Sequence, residues 1–309
     1  MNWSTVTEFT LEGFSQYPEL EIILFILCLL MYLVTLLGNC ILITITIQDL
    51  HLHTPMYFFL SNLSFMDICY TTSSITPMVV KFIVKRNTVP FTACALQMCF
   101  SLAMGATECL LLAMMAYDQY VAICHPLRYP IIMNKRVCLQ MAAGSWIAGC
   151  LTSLLETSCA LQLPLCGSSI NHFTCEILAL LKLACMSSLA MDMIMLVASV
   201  LFLPIPMLLI CISYSFILFT ILRINSADGR SKAFSTCSAH LTVILYYGTA
   251  LSMYLKPSSV DSQETDKFIT LFYGVVTPML NPIIYSLRNT EVKGAVKKLL
   301  RRNVFSQRL

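Results

Sequence analysis

Long apolar runs alternate with short polar ones along this chain. Seven stretches carry little or no charge: Ile22 to Ile47, Met56 to Val80, Phe91 to Tyr117, Cys138 to Leu155, Met193 to Leu222, Ala233 to Leu255 and Phe268 to Leu287. A bilayer core about 30 Å thick takes roughly 20 apolar residues per helical span, and only the fourth run is short by that measure. A spanning strand would need about 10 residues of alternating polarity, whereas these runs are continuously apolar, so their backbone polar groups must be satisfied within helices. The pattern predicts an all-α fold, a seven-transmembrane helix bundle over 22–287 between an outer segment 1–21 and a tail 288–309. Glu19 and Glu21 precede the first run where a cleaved signal would have a basic region, so that run is expected to stay as the first helix.

Composition excludes the soluble alternative. Only 11% of the residues are charged, against about 25% in an ordinary soluble domain, too few to cover so large an apolar content. The basic residues set the threading. Thirteen of the 19 Lys and Arg fall after the third, fifth and seventh runs, and none precedes the first. By the positive-inside rule the N-terminus is outside, the tail is cytoplasmic, and the protein is a multi-pass plasma-membrane protein. Asn2-Trp3-Ser4 then offers a glycosylation acceptor on the outer side, while Asn62-Leu63-Ser64 lies inside the second helix, out of reach. Between Thr290 and Leu300 the apolar Val292, Ala295, Val296, Leu299 and Leu300 share one helical face beside Lys293, Lys297 and Lys298. Such a short amphipathic helix is expected to lie along an anionic inner leaflet.

Most of the 15 cysteines fall in apolar runs, where a thiol is a small buried hydrophobe. Cys94, Cys166, Cys175 and Cys185 instead fall at the outer end of the third helix or in the outer loop between Glu156 and Asp192, facing an oxidising compartment. Four cysteines allow three pairings. Zinc is the rival use, disfavoured because the loop has no Cys-x-x-Cys pair.

Asp67 and Glu108 are the only acids inside the seven runs, and a lipid-facing charge there costs a few kcal/mol, so both should face inward. With Asn39 and Asn281 at similar depth they form a candidate hydrated, cation-accommodating pocket. Pro204, Pro206, Pro278 and Pro282 each remove a helix hydrogen bond and permit a bend; Pro282, beside Asn281 and one turn before Tyr285, suits a switching role. A ligand entering from outside should meet the outer halves of helices three, five, six and seven. Ser101, Leu102, Gly105 and Ala106 share an arc of helix three, Tyr247, Ala250, Leu251 and Tyr254 recur at helical spacing on helix six, and helix five adds Ala198, Ser199 and Phe202. No charge falls among them, so binding is expected to rest on apolar burial at about 25 cal/mol per Å², with one or two orienting hydrogen bonds. His240 is expected to be a hydrogen-bonded core residue that also responds to the gate. His51, His53, His125 and His172 are ordinary polar residues with no metal-ligand spacing.

Four long strings and the pair Ser213-Tyr214 then match one family. They are Leu52-His53-Thr54-Pro55-Met56-Tyr57-Phe58-Phe59-Leu60-Ser61-Asn62-Leu63-Ser64, Met115-Ala116-Tyr117-Asp118-Gln119-Tyr120-Val121-Ala122-Ile123-Cys124-His125-Pro126-Leu127, Ser213-Tyr214, the stretch from Lys232 to Leu241, and Pro278-Met279-Leu280-Asn281-Pro282-Ile283-Ile284-Tyr285-Ser286-Leu287-Arg288-Asn289. Together they resemble the odorant receptors of the rhodopsin-like G-protein-coupled class. The resemblance implies disulfides Cys94–Cys175 and Cys166–Cys185, a small volatile ligand, a stimulatory heterotrimeric G protein with cyclic AMP signalling, and a sodium-like site at Asp67 and Glu108. It implies switch or coupling roles for Asp118, Gln119, Tyr120, Tyr214, Lys232, His240, Asn281, Pro282 and Tyr285, and residence in the cilia of olfactory neurons. Gln119 departs from the pattern, because the family usually has Arg there. A neutral amide cannot pair with Asp118 as that cation does, which predicts altered basal activity or weak coupling. The competing class is a small transporter or channel, which would call for inverted repeats or a polar line through the membrane, and the sequence has neither. An enzyme, including an intramembrane aspartyl protease built on Asp67 and Glu108, lacks a nucleophile, base and orienting group; nothing points to nucleic acid.

Overall fold

The computed structural model describes residues 6–14, 18–186, 188–223, 226, 248, 263–288 and 292–299. Its helices follow the apolar runs: α1 (Pro18–Gln48), α2 (Pro55–Val84), α3 (Phe91–Cys124), the one-turn α4 (Tyr129–Ile132), α5 (Lys135–Leu161), the short loop helix α6 (Ile177–Leu181), α7 (Leu189–Phe202), α8 (Pro204–Leu222), α9 (Gln263–Leu271) and α10 (Thr277–Arg288). A π turn, Phe272–Val276, joins the last two into one rod. Five of the described runs are long and apolar enough to cross a bilayer: Glu19–Gln48, Phe91–Cys124, Lys135–Leu161, Leu189–Leu222 and Lys267–Ile284. At 30 residues α2 has the length too, but Ser61, Asn62, Ser64, Asp67 and the run Thr71-Thr72-Ser73-Ser74 make it less apolar. The expected sixth span, Ala233 to Leu255, lies outside the described residues.

Two boundaries differ from the sequence expectation for local reasons. The fifth span is two helices end to end. Pro204 has no N–H to continue the ladder, the chain breaks at Leu203, and Pro204 starts α8 at a position where a missing N–H costs little. The fourth span is longer than its apolar run. Asn134 caps it by accepting from the Val137 N–H at 3.0 Å, and no Gly or Pro follows Leu155 until Pro164, so helix continues through Leu161 and carries Glu156 into the bundle.

Lipid contact is legible in exposed apolar stripes, with Leu30, Leu33 and Leu37 outward on α1 and Leu208, Ile212 and Phe216 outward on α8. The chain is a multi-pass membrane protein. α3 runs through the middle, against α2, α5 and α8. Small residues set its closest approach: a Cβ at Gly149 would stand 2.9 Å from the Ala103 carbonyl oxygen, so only glycine lets α5 lie this near α3. Gly38 does the same for Pro282, whose Cγ would be 2.9 Å from an added Cβ.

One end carries a cap that the all-α expectation did not include. β1 (Glu8–Leu11) pairs antiparallel with β2 (Thr88–Pro90) and parallel with β3 (Ser169–Ile170). Strands of two to four residues are too short to show alternation, and the pairing joins segments far apart in the chain. Disulfides Cys94–Cys175 and Cys166–Cys185 fix the loop over this end, so all four thiols once open to a zinc reading are bonded to each other. Lys267 is buried there and donates to the Gly13 carbonyl at 2.8 Å; Lys81 pairs with Glu21.

At the opposite end, residues 292–299 form the expected amphipathic helix. Its apolar face turns to the protein: Val292 and Ala295 are buried, with Val296 and Leu299 packed on the core. Lys298 reaches Asp49 at 3.1 Å, and His51 N–H and Lys298 together hold the Asp49 carboxyl below its usual range.

Candidate functional site

A cavity of about 180 Å³ opens among α3, α5, α7, α8 and the disulfide-bonded loop. For scale, a cavity of about 150 Å³ holds benzene. Ser101, Leu102, Gly105 and Ala106 of α3 line it, and so do Ala198, Ser199 and Phe202 of α7. An added Cβ at Gly105 would meet nothing within 4 Å, so that glycine contributes open volume. Met98, Met195 and Ile210 supply most of the flexible apolar wall. The expected helix-six partners Tyr247, Ala250, Leu251 and Tyr254 lie outside the described residues, as do Lys232, His240 and Asn2.

The cavity is not the uncharged cup that the sequence suggested. Glu108, Glu156 and Glu176 all line it. Glu156 was assigned to the outer loop because the apolar run ends at Leu155; the signal that could have placed it is Thr152, one turn earlier on the same helical face and also in the lining. Glu156 is 6% exposed. Glu176 follows the disulfide Cys175, and His172 Nε2 stands 3.0 Å from its Oε2.

His172 is buried, not an ordinary polar loop residue. Burial, with a contribution from the Lys267 and Lys182 charges, pushes its imidazole down to about 4 against the opposing effect of the Thr174 hydrogen bond. Nδ1 accepts from the Thr174 N–H at 3.1 Å, which leaves the proton on Nε2 facing Glu176. The ring stacks on Phe173, centroids 4.5 Å apart.

Below the cavity, Asp67 is buried and accepts from Asn281 Nδ2 at 3.0 and 3.2 Å. Glu108 is near enough for its charge to act on Asp67. Asn39 donates to the Pro278 carbonyl at 3.1 Å, one turn before Asn281, and Pro282 packs against Gly38. Polar groups therefore link α1, α2, α3 and α10 at mid-depth.

At the far end the Asp118-Gln119-Tyr120 stretch is held without any ion pair among the described residues. Tyr129 donates to Asp118 Oδ1 at 2.8 Å, Gln119 Nε2 reaches Met56 Sδ at 3.0 Å, and Tyr120 Oη meets His125 Nε2 at 3.1 Å. Tyr129 was not anticipated, since it comes from the short α4 after the motif. Tyr214 is buried on α8. Tyr285 lies in α10, with its side chain outside the described set.

A sequence model described as "Olfactory receptor" matches residues 27–303. Among known proteins, the chain is 66% identical over 307 residues to human olfactory receptor 13F1, covering 99% of this chain and 96% of that one. It is 69% identical over 300 residues to human olfactory receptor 2K2, covering 97% and 95%, and 62% identical over 305 residues to human olfactory receptor 13D1, covering 98% and 88%. These relatives are receptors, not enzymes. On the family match across most of its length, and on relatives aligned nearly end to end, the chain belongs to the olfactory receptor family of seven-transmembrane receptors.

Proposed function

We propose that this receptor binds a small, largely apolar volatile compound in the cavity among α3, α5, α7 and α8 and activates a stimulatory heterotrimeric G protein, raising cyclic AMP. The observation that carries the proposal is a void somewhat larger than one holding benzene, under a cross-linked loop and lined by small and apolar side chains of three transmembrane rods. Apolar burial at about 25 cal/mol per Å² supplies the affinity; Ser101, Thr152 and Ser199 offer hydroxyls for orientation. The distribution of Lys and Arg supports a cavity on the extracellular side, a basic tail in the cytoplasm, and an Asn2 open to glycosylation. Residence in olfactory cilia and the absence of catalysis belong to the same proposal.

Binding acts on the far end only through differential affinity for two arrangements of the helices. Pro282 against Gly38, the Asn281–Asp67 hydrogen bonds and the break at Pro204 are the joints through which the rods can re-seat. A sodium ion near Asp67 and Glu108 fits the donor set: both are carboxyls, and the nearby Asn39 Oδ1 is a buried acceptor with no hydrogen-bond partner among the described residues. The ion would neutralise buried charge between α2 and α3.

Gln119 in place of the family's Arg removes the cation that would pair with Asp118. Weak coupling or a shifted basal level is the expected consequence. Expressing the full chain with an olfactory-type stimulatory G protein, screening volatile compounds for cyclic AMP, and repeating the screen with Gln119→Arg tests the proposal. Odorant-dependent cyclic AMP, larger in the Arg variant, supports it; a flat response from both forms at normal surface density contradicts it.

A further inference from the structure

The three carboxyls around the cavity do not stand in equivalent surroundings. Glu176 has the buried His172 imidazole beside it, Nε2 3.0 Å from its Oε2. Glu108 faces Asp67 and the mid-depth polar cluster. Glu156 is different: it is more than nine-tenths buried, it lines the cavity, and no hydrogen bond or ion pair ties it to any described residue. No Lys, Arg or His occurs among the described residues of the lining. A carboxyl held out of water is costly unless something pairs with it; no described residue does so here, and the cavity that Glu156 lines is open to a ligand. Thr152, one turn away on the same face of α5, and Ser199 across on α7 add hydroxyl acceptors. The rest of the wall, Leu102, Ala106, Met195 and Phe202, suits a hydrocarbon body.

We infer that the cavity takes a volatile amine, bound as its ammonium, with Glu156 as the counter-ion. The inference rests on the ligand site proposed above and narrows its occupant from apolar volatiles in general to those with one basic nitrogen. An aliphatic amine, like the lysine side chain, is protonated at neutral pH. The ammonium loses its hydration on entry and gains the Glu156 carboxylate as its counter-ion, whereas a neutral compound of the same shape leaves the carboxyl unpaired. The volume admits a body of six or so carbons, since a cavity of about 150 Å³ already accepts benzene.

The test uses the purified full chain and reads binding as thermal stabilisation, with no G protein required. Cyclohexylamine and its neutral isostere cyclohexanol are the probes, on the wild type, Glu156→Gln and Glu156→Asp. The amine should stabilise the wild type at least about tenfold more potently than the alcohol. Glu156→Gln should weaken the amine by about 30-fold or more, the usual consequence of removing one member of a buried charge pair, and leave cyclohexanol unchanged. Glu156→Asp, which keeps the charge on a shorter stem, should fall between. A melting temperature of the ligand-free variants close to wild type guards against misfolding. Equal potency of amine and alcohol, an amine response untouched in Glu156→Gln, or no stabilisation by the amine overturns the inference. Signalling separates the two proposals: cyclic AMP evoked by neutral volatiles without amine binding sinks the amine alone, whereas Glu156-dependent amine binding without cyclic AMP sinks the coupling alone.

Discussion

At the end that carries β1, β2 and β3, two disulfides and a buried lysine fasten the loop and the N-terminal strand over a void. At the other end Asp118, Gln119 and Tyr120 each lean on a single uncharged neighbour, and the tail helix is held by four apolar side chains and one exposed lysine. The first arrangement spends covalent bonds and buried polar contacts to keep a cavity from collapsing. The second is built from hydrogen bonds worth about 1 kcal/mol each, which exchange at little cost when helices shift. Under the proposed function the first end recognises the ligand and must hold its shape, and the second signals and must not.

Breaking the rigid end should have the largest effect. Cys94→Ser removes a cross-link over 81 residues, worth a few kcal/mol by loop closure, and it frees the loop that supplies Cys175 and Glu176 to the cavity. Surface delivery measured by flow cytometry should fall by roughly tenfold, since a few kcal/mol is a large share of total stability; the free cysteines in the bundle should tolerate Ser far better. Near-normal delivery of Cys94→Ser would show that the cap does not depend on the bridge.

The next effect is a pH dependence confined to that end. His172 is neutral when folded down to about pH 4, whereas in the unfolded chain it takes up a proton near its ordinary value of about 6.5. Between these values the unfolded state binds more protons, so stability declines as pH falls from about 6.5 toward 4 and is flat with respect to this group above 6.5. Thermal unfolding of the purified chain at pH 7 and pH 5 should show the decline, and His172→Gln should lose most of it. An unchanged slope in the variant would assign the dependence to other groups.

How much of this was legible beforehand differs between the ends for a physical reason. Spans declare themselves through runs of about 20 apolar residues, a local signal, and helical spacing likewise groups Ser101 with Gly105 on the third span and Ala198 with Phe202 on the fifth. His172 and β1 depend on contacts between distant segments. The Lys267 charge acts on His172 from far along the chain, and β1 finds its partners near residues 88 and 169. Glu156 was within reach: residues 157–161, Thr-Ser-Cys-Ala-Leu, carry neither charge nor breaker, so the helix could have been extended past it. Tyr129 was out of reach, because no periodicity brings a loop tyrosine onto Asp118.

The smallest effect is expected at the exchangeable end. Tyr129→Phe deletes the donor to Asp118 and little else. With about 1 kcal/mol at stake, basal cyclic AMP should change several-fold in cells at equal surface density, with no change in thermal stability beyond a degree or two. A large loss of stability would place Tyr129 with the rigid framework.

Filling the cavity tests the central claim most directly. Gly105 faces open space, so Gly105→Phe adds a ring to the void without a backbone clash. Normal surface delivery with loss of response to every active volatile is the predicted result. Unchanged potency and amplitude for those same compounds would contradict the claim that ligands bind between α3, α5, α7 and α8.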